Sequence, residues 1–468
     1  MERITYRLSG GVNAEVVAKV REDCFELLES VGVGIESREV LDELSRREGI
    51  RVEGERVFFT PRVVEDIIKA VREDNADYML NIPCRKEPLV RPPFLCLRVW
   101  DDGAASPRKA TCDDLATAAR LLDSYGANGV PPVHPADVEP HMRQLVTARI
   151  SYENSRGIGS YLQADSADEV RALCDLGHAA GREGPHCALQ IPHSPLRLDA
   201  RVLEMVLEMK RSGSTPEGVA VGGGAMPLAG AVAPLLPPGF FAQGFAEALA
   251  AYGTAKLLND DVRGYCSMYQ ATFDMRHSGF AMATPEAVLL SMAIRELHEE
   301  FFGTTIGGDF GCMGKTYDAQ AGAEKTAAIL TAVLSGATTF ANPGMTPMDD
   351  CFHLAGVVVD MEILSYAWRV ARGLAWEQTP TLDIVKESQR DGTFLVHPTT
   401  MRFREEVWEP GVFTREPFDG WLAAGGQSLV ERAAGVARER IESNDYSPDA
   451  DVSKELDRIM ALAEKKLR

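Results

Sequence analysis

The sequence is poor in the features that usually assign a protein at sight. Its nine cysteines are scattered singly, with no CxxC pair and no Cys/His spacing of a zinc site. An odd, dispersed set points to a reducing compartment and to thiols that fill the core. No GxSxG elbow occurs, and His298-Glu299-Glu300 lacks the second histidine of HExxH, so no metal site is expected. The start, MERITYRLSGG, carries charge where a secretory leader needs an apolar run, which gives a cytoplasmic expectation. Residues 218–246 contain no charged side chain, but Gly222-Gly223-Gly224, Pro227, Pro234 and Pro237-Pro238 interrupt them too often for a membrane span. That stretch reads as buried loop and core. Positive charge is also in deficit: 49 Lys and Arg stand against 69 Asp and Glu, a formal net charge of −20. This excludes nucleic acid and an anionic membrane surface as partners, and it is compatible with a cationic substrate.

What is present is an ordinary globular composition, 45% hydrophobic and 25% charged over 468 residues. That length allows two or three average domains or one α/β barrel with extensions. Near the start, Asn13 can cap a helix with Val16, Val17, Val20, Cys24, Leu27, Leu28 and Val31 at helical spacing, ended by Gly32. Ser37 and Thr60-Pro61 open two more helices, and residues 51–59 alternate as a short strand pair. LRVWDDGAASPRKATCDDL reads as strand, turn, strand, then a helix capped by Thr111.

From about residue 128 strand-like segments recur at 129–134, 158–162, 187–191, 218–221, 263–269, 304–308, 338–341 and 393–396, with amphipathic helices between most of them. Eight parallel strands with intervening helices fit a (β/α)8 TIM barrel, which needs about 250 residues. Two open sheets can be threaded through the same pattern. The segments after the strands are HPADVEPH, PHSPLR, GGGAMPLAG, YQATFDMRHSG, GGDFGCMGKTYDAQ and NPGMTPMDDCFH, whereas the opposite connections are plain polar turns. That asymmetry is expected of an active mouth.

One of these loops ends Gly314-Lys315-Thr316, like a phosphate-cradling G-x-x-x-x-G-K-[ST]. The required first glycine falls on Asp309, with Gly308 one place early and Gly311 two late. A carboxylate there would repel phosphate, so the nucleotide reading fails. The mouth residues also have structural readings. The glycines can simply shape turns, and Phe273, Phe280, Phe310 and Phe352 can be core. His277 and His353 can start helices, Asp318 can be an N-cap, and Lys315 can be a solvated loop lysine. Cys312 has no histidine partner nearby in sequence for nucleophilic work.

Several segments together resemble the trimethylamine methyltransferase family, in its large branch without pyrrolysine: PLAGAVAPLLPPGFFAQGFAEALA, FDMRHSGFAMATPE, YDAQAGAEKTAAILTAVLSGA and VWEPGVFTREPFDGWLAAGGQSLVERA, with LLESVGVGIESREVLDEL near the start. The resemblance covers nearly the whole chain. It implies an α/β fold, a (β/α)8 TIM barrel at 111–400, preceded by a helical and hairpin extension at 1–110 and followed by a helical tail at 401–468. It further implies transfer of a methyl group from a methylated amine to the Co(I) corrin of a separate corrinoid-binding protein. Donors in this branch include quaternary amines such as glycine betaine. Cobalamin is then supplied by the partner, with no cofactor held tightly by this chain, and a homo-oligomer is expected. Where related members carry pyrrolysine, the corresponding loop here reads GCMGKTYD, with ordinary Lys315. A quaternary ammonium leaves as a neutral tertiary amine, so nitrogen needs no acid, base or covalent adduct. Aligning N–CH3 with cobalt and excluding water then suffices, a proximity effect of up to about 7–11 kcal/mol.

On that reading Asp309, Lys315 and Tyr317 stand at the reacting centre. Tyr269, Phe273, Phe310, Tyr317 and Phe352 are candidate walls for the cation, each face contributing about 0.5–2 kcal/mol. Asp274, Asp309 and Asp349 are its charge partners, and Arg276, His277, Lys315 or His353 would take a carboxylate arm. Gly222, Gly223, Gly224, Gly311 and Met313 face the corrin. Phe245 stands where members usually show a polar residue and Ala323 where an aromatic is common, and NPGMTPMDD departs from the commoner loop. Three alternatives remain at this stage: the same chemistry on a sulfonium or ether donor, a barrel that binds a small cation without turnover, and an unrelated barrel for phosphorylated substrates. The acidic NPGMTPMDD loop counts against the last.

Overall fold

Local signals build the first part of the molecule as expected. The computed structural model describes residues 2–77, 87–94 and 96–467. The Asn13 carboxamide oxygen accepts from the Val16 N–H at 2.9 Å and starts helix Ala14–Glu26, and Ser37 caps Arg38–Leu44. Thr111 and Asp114 form a reciprocal capping box on Cys112–Asp123, satisfying N–H groups that no helix can bond internally. Strands Ile50–Glu53 and Arg56–Phe59 pair antiparallel, and Val33–Ile35 joins them. Strand Arg197–Leu198 adds to Val33–Ile35 in parallel, so the extension grips a loop from the middle of the chain.

The central strands are parallel. Val219–Ala225 lies between Cys187–Gln190 and Arg263–Met268, and Thr339–Ala341 lies between Gly308–Asp309 and Leu89–Arg91. Single contacts connect the two groups. Asn128 donates to the Val90 carbonyl at 3.1 Å, and parallel bridges join Gly129 to Ile158 and Leu162 to Cys187. Among the described residues no ladder joins Arg263–Met268 to Gly308–Asp309, so the sheet does not close.

Two expectations about strands change. Residues 393–396 are a turn after helix Thr381–Asp391, not a strand. The apolar run is there, but Leu395 and Val396 are exposed at 78% and 73%, and Thr393 Oγ1 accepts from the Leu395 N–H to hold a local bend. The strand actually paired beside Thr339–Ala341 is Leu89–Arg91, from the stretch read as N-terminal extension. Likewise 129–134 pairs only at Gly129 and Val133, and 304–308 only from Gly308 onward.

Helix Gly239–Leu258, which starts inside the uncharged stretch and runs past its end, is almost wholly buried. It is apolar all round and carries no helical stripe, which is why periodicity misses it. Gly253 lets it lie against Ile67 of helix Pro61–Asp77, where a Cβ would strike that side chain. Its buried Glu247 accepts from Leu196 N at 2.9 Å, Ser194 Oγ at 2.5 Å and Gln243 Nε2 at 2.8 Å, fixing the loop before Arg197. Phe245 stacks on Phe301, ring centroids 4.4 Å apart. It is core, at a position where members of the resembled family usually carry a polar residue.

At the other end, helix Leu429–Ser443 packs on Leu354–Ala371 and Cys112–Asp123, and Ala450–Leu467 packs on Ala167–Ala179. The buried Glu362 carboxylate ties down the start of this tail. Its Oε1 accepts from Gly411, Val412 and Phe413 N–H at 2.8, 3.1 and 3.1 Å. Removing it strands three amides, at about 1–3 kcal/mol for each that water does not reach. Glu362→Ala should lower unfolding free energy by about 3 kcal/mol and make the chain beyond Trp408 an early cleavage site in limited proteolysis. Wild-type melting and cleavage patterns would refute this anchor.

Candidate functional site

The C-terminal ends of the parallel strands converge on a cavity of about 510 Å³, within the usual range for a small-molecule site. Arg91 ends one strand and Gln190 another; Gly224, Ser267 and Asp309 come from three more, and Asn342 follows Thr339–Ala341. Phe94, Tyr161, Tyr265 and Tyr269 supply aromatic wall. Tyr161 and Tyr265 meet edge to face, centroids 6.2 Å apart at 84°, and Gln190 Nε2 donates to the Tyr265 hydroxyl. A Cβ on Gly224 would lie 3.3 Å from Gln190 Oε1 and 3.5 Å from Ser267 Oγ, so the backbone runs close to both side chains.

Asp309 lies in the wall, open to the cavity and removed from bulk water. Burial raises its carboxyl to about 6, against the stabilising N–H groups of Gly311 and Asn342, and the charge of Asp349 pushes in the same direction as burial. Gly311 N donates to Oδ1 at 2.5 Å and Asn342 Nδ2 to Oδ2 at 2.7 Å, so its orientation is set. Asp349, at the rim of the same cavity, is also raised by burial. Tyr161, Ala283, Asn342 and Asp349 line the cavity with φ of 60°, 59°, 66° and 56°. They are four of the seven non-glycine residues in that region among the described residues. Such backbone costs about 1–3 kcal/mol per residue and clusters where function demands it.

The loops bearing the two acids are fastened beneath by a buried ion pair. Lys325 of helix Ala319–Leu334 and Asp360 of helix Leu354–Ala371 are both fully buried and meet at 2.8 Å. Lys325 Nζ also donates to the Phe310 and Met345 carbonyls at 2.8 and 3.0 Å. Asp360 Oδ2 accepts further from Tyr317 OH at 2.8 Å and Gly344 N at 2.7 Å. Burial pushes the Asp360 carboxyl upward, and Lys325 opposes it. Thr346 Oγ1 donates to the Gly314 carbonyl at 2.6 Å and Glu324 accepts from Met313 N at 2.7 Å. The Met313 amide and the Gly314 carbonyl are thus engaged in holding loops together.

Of the residues singled out from sequence, Tyr269, Asp309, Asp349, Gly224 and Gly311 line the cavity. The base of 269–279 and the first part of 307–320 therefore share one site. The others are placed elsewhere by packing. Phe310 and Phe352 are core, Tyr317 is committed to Asp360, and Gly222 and Gly223 lie within strand Val219–Ala225. Lys315 is exposed, its Nζ donating to the Met313 carbonyl at 2.6 Å. His353 caps helix Leu354–Ala371 and stacks on Trp100. Asp274 and His277 pair at 2.7 Å on an exposed hairpin with Arg276, away from the described lining, and Phe273 opposes Phe280 across that hairpin. Met313 is outside the lining, and Ala323 is exposed on its helix. Sequence reasoning missed Arg91, Tyr161, Gln190, Tyr265 and Asn342. Gln190 left one signal, a polar residue closing the apolar strand CALQ.

Lys325→Met should cost about 3–5 kcal/mol, because Asp360 is left as an uncompensated buried charge. Lys315→Met should change stability by less than about 0.5 kcal/mol. Denaturant titration of both variants checks the contrast; equal losses would show that the buried pair holds nothing.

The profile of the family described as trimethylamine methyltransferase (MTTB) matches residues 5–467. Trimethylamine methyltransferase MttB of Methanosarcina barkeri is 26% identical over 306 residues, 64% of this chain and 60% of that protein. The matched region therefore spans 60% of the length of that relative. Glycine betaine methyltransferase of Desulfitobacterium hafniense is 25% identical over 425 residues, 86% of this chain and 87% of that one. The crystal structure of the Methanosarcina barkeri monomethylamine methyltransferase (MtmB) superposes with a TM-score of 0.41 at 12% identity, over 98% of this chain and 88% of that one. Among the described residues no helix is long and apolar enough to cross a membrane. A match that runs from residue 5 to residue 467 leaves almost no part of the chain outside it: the protein belongs to the trimethylamine methyltransferase family.

Proposed function

We propose that this protein is a methyltransferase that takes a methyl group from a quaternary amine of the betaine type, or another methylated amine, and delivers it to the Co(I) corrin of a partner protein. The observation that carries this reading is the cavity wall itself: two carboxylates, Asp309 and Asp349, and three tyrosines, Tyr161, Tyr265 and Tyr269, line it together. A methylated ammonium offers no N–H to bond, so aromatic faces and full negative charges are what can hold it, at about 0.5–2 kcal/mol per face. The same wall suits a sulfonium equally, but gives a neutral ether nothing.

The cavity volume fits a small donor and not a corrin, so the corrin would meet the mouth from outside. Phe94, Met226 and Tyr269 line the cavity and are exposed, an apolar rim suited to a large flat ring. Reduced corrin supplies a strong nucleophile in line with the N–CH3 bond, whose electron pair stays on nitrogen as that bond breaks. The chain's own task is to bind, orient and exclude water. Asp309, held by Gly311 and Asn342, fixes the ammonium without moving. We place this chemistry on a (β/α)8 barrel with an open seam between Arg263–Met268 and Gly308–Asp309. Residues 111–400 form most of it, 1–110 contribute the extension with strand Leu89–Arg91, and 401–468 the tail. A cytoplasmic homo-oligomer completes the reading, supported by the exposed Leu374, Trp376, Leu382, Leu395, Val396 and Val407.

Because burial raises Asp309 to about 6, the group is neutral below that pH and attracts a cation only above it. The value of kcat/KM should therefore fall about tenfold per pH unit below roughly 6. Asp309→Asn should lower kcat/KM about 30-fold at neutral pH, from a loss of about 2 kcal/mol, and flatten the acidic limb. An unchanged limb in the variant would assign the titration to another group. The activity itself is read by mixing the protein anaerobically with reduced cobalamin and a panel of quaternary amines and following loss of the Co(I) absorbance. Inactivity across the panel, with tight binding of the same amines, would make the protein a cation-binding barrel without turnover.

A further inference from the structure

Among the described residues, Arg91 lines the cavity without a charge partner. It closes strand Leu89–Arg91 and stands in register with Ala341, which stands in register with Asp309 on the next strand. Arg91 and Asp309 therefore occupy one row two strands apart, a Cα separation of about 10 Å, and both side chains line the same cavity. They do not neutralise each other. Both oxygens of Asp309 are already taken by Gly311 and Asn342, and no ion pair joins Arg91 to any acid among the described residues. The guanidinium lies beside the Tyr161 phenol, and among the described residues its Nη2 is buried with no hydrogen-bond partner, as is the Ser267 hydroxyl on the same wall.

A buried guanidinium N–H left unpaired asks for an acceptor, and no described residue supplies one here. A carboxylate has the right charge and the planar pair of oxygens that an arginine fork takes. A cation site at Asp309 and an anion site at Arg91, a short molecule's length apart, together describe a zwitterion.

We infer that Arg91 is the specificity-determining residue of this site: it binds the carboxylate of a donor whose methylated ammonium sits at Asp309 and Asp349, and so selects N-methylated amino acids over bare methylated amines. The assignment rests on the reading of the cavity as a cation site, and the test separates the two. Isothermal titration needs no corrinoid, and the ligands are glycine betaine and its isosteric amide, which carries the same trimethylammonium and no carboxylate. Wild-type protein should bind the acid at least tenfold more tightly than the amide. Arg91→Gln should erase that preference while leaving amide affinity within about threefold, and Arg91→Lys, which keeps the charge but not the fork, should retain part of it. Melting curves confirm that each variant is folded; if Arg91→Gln is not, Arg91→Lys must still show a reduced ratio. Equal affinity for acid and amide in wild type, or a preference untouched in both variants, overturns the role of Arg91 while the cation site stands. Failure of both ligands to bind overturns the cation site, and this role with it.

Discussion

The ion pair between Lys325 and Asp360 is the constraint on which the site depends. Each charge is fully buried, and neither could remain there without the other. Around them gather the Phe310 and Met345 carbonyls, the Tyr317 hydroxyl and the Gly344 amide. One knot therefore fixes the loop after Gly308–Asp309 and the loop after Thr339–Ala341. Those loops carry Gly311, Asn342 and Asp349, which set the orientation and the charge environment of Asp309. An apolar core could hold helices Ala319–Leu334 and Leu354–Ala371 together as well. It could not specify where irregular loop backbone must stop, because only hydrogen-bonding groups discriminate among loop conformations of similar burial.

Above that knot the cavity is electrically divided. Its acids lie on the Gly308–Asp309 strand and the rim loop, the Arg91 guanidinium two strands away, and Tyr161, Tyr265 and Tyr269 share the lining. Asp309 is held near the boundary of ionisation by burial, while its hydrogen bonds keep the charged form accessible. The strained backbone at Tyr161, Asn342 and Asp349 is the local cost of aiming these groups inward. Exposed apolar side chains ring the mouth, and the net charge of −20 belongs to the molecule as a whole.

Residues that act on their own neighbours were legible before any fold was known. Asn13, Ser37, Thr111 and Asp318 cap helices because a short side-chain oxygen reaches an amide two or three residues on. His353 was also readable as a helix start, and it is one. Helix Gly239–Leu258 was not legible, because burial on every side erases the period that betrays a surface helix. The exposed run at 393–396 misled for the converse reason: alternation and apolarity describe a strand only if an edge is waiting for it, and Leu89–Arg91 had taken that edge. Among candidate site residues, Gly224, Tyr269, Asp309, Gly311 and Asp349 line the cavity. Phe310 and Phe352 lie in the core and Tyr317 is bonded to Asp360, because packing within the same loops is invisible in a local pattern.

By itself, the sequence determined the ordinary globular composition, the local caps, most of the helices, the parallel α/β character and, through whole segments, the kinship of the chain. Periodicity and turn chemistry act over a few residues, so they survive in a string of letters. Tertiary structure alone decided that Arg91, Ala341 and Asp309 share one row, that Lys325 reaches Asp360, and that the sheet stays open between Arg263–Met268 and Gly308–Asp309. Each of these joins residues far apart in the chain, through strand register and helix packing that no local pattern encodes. The charge pattern of the cavity, and hence what it can select, exists only once that register is set.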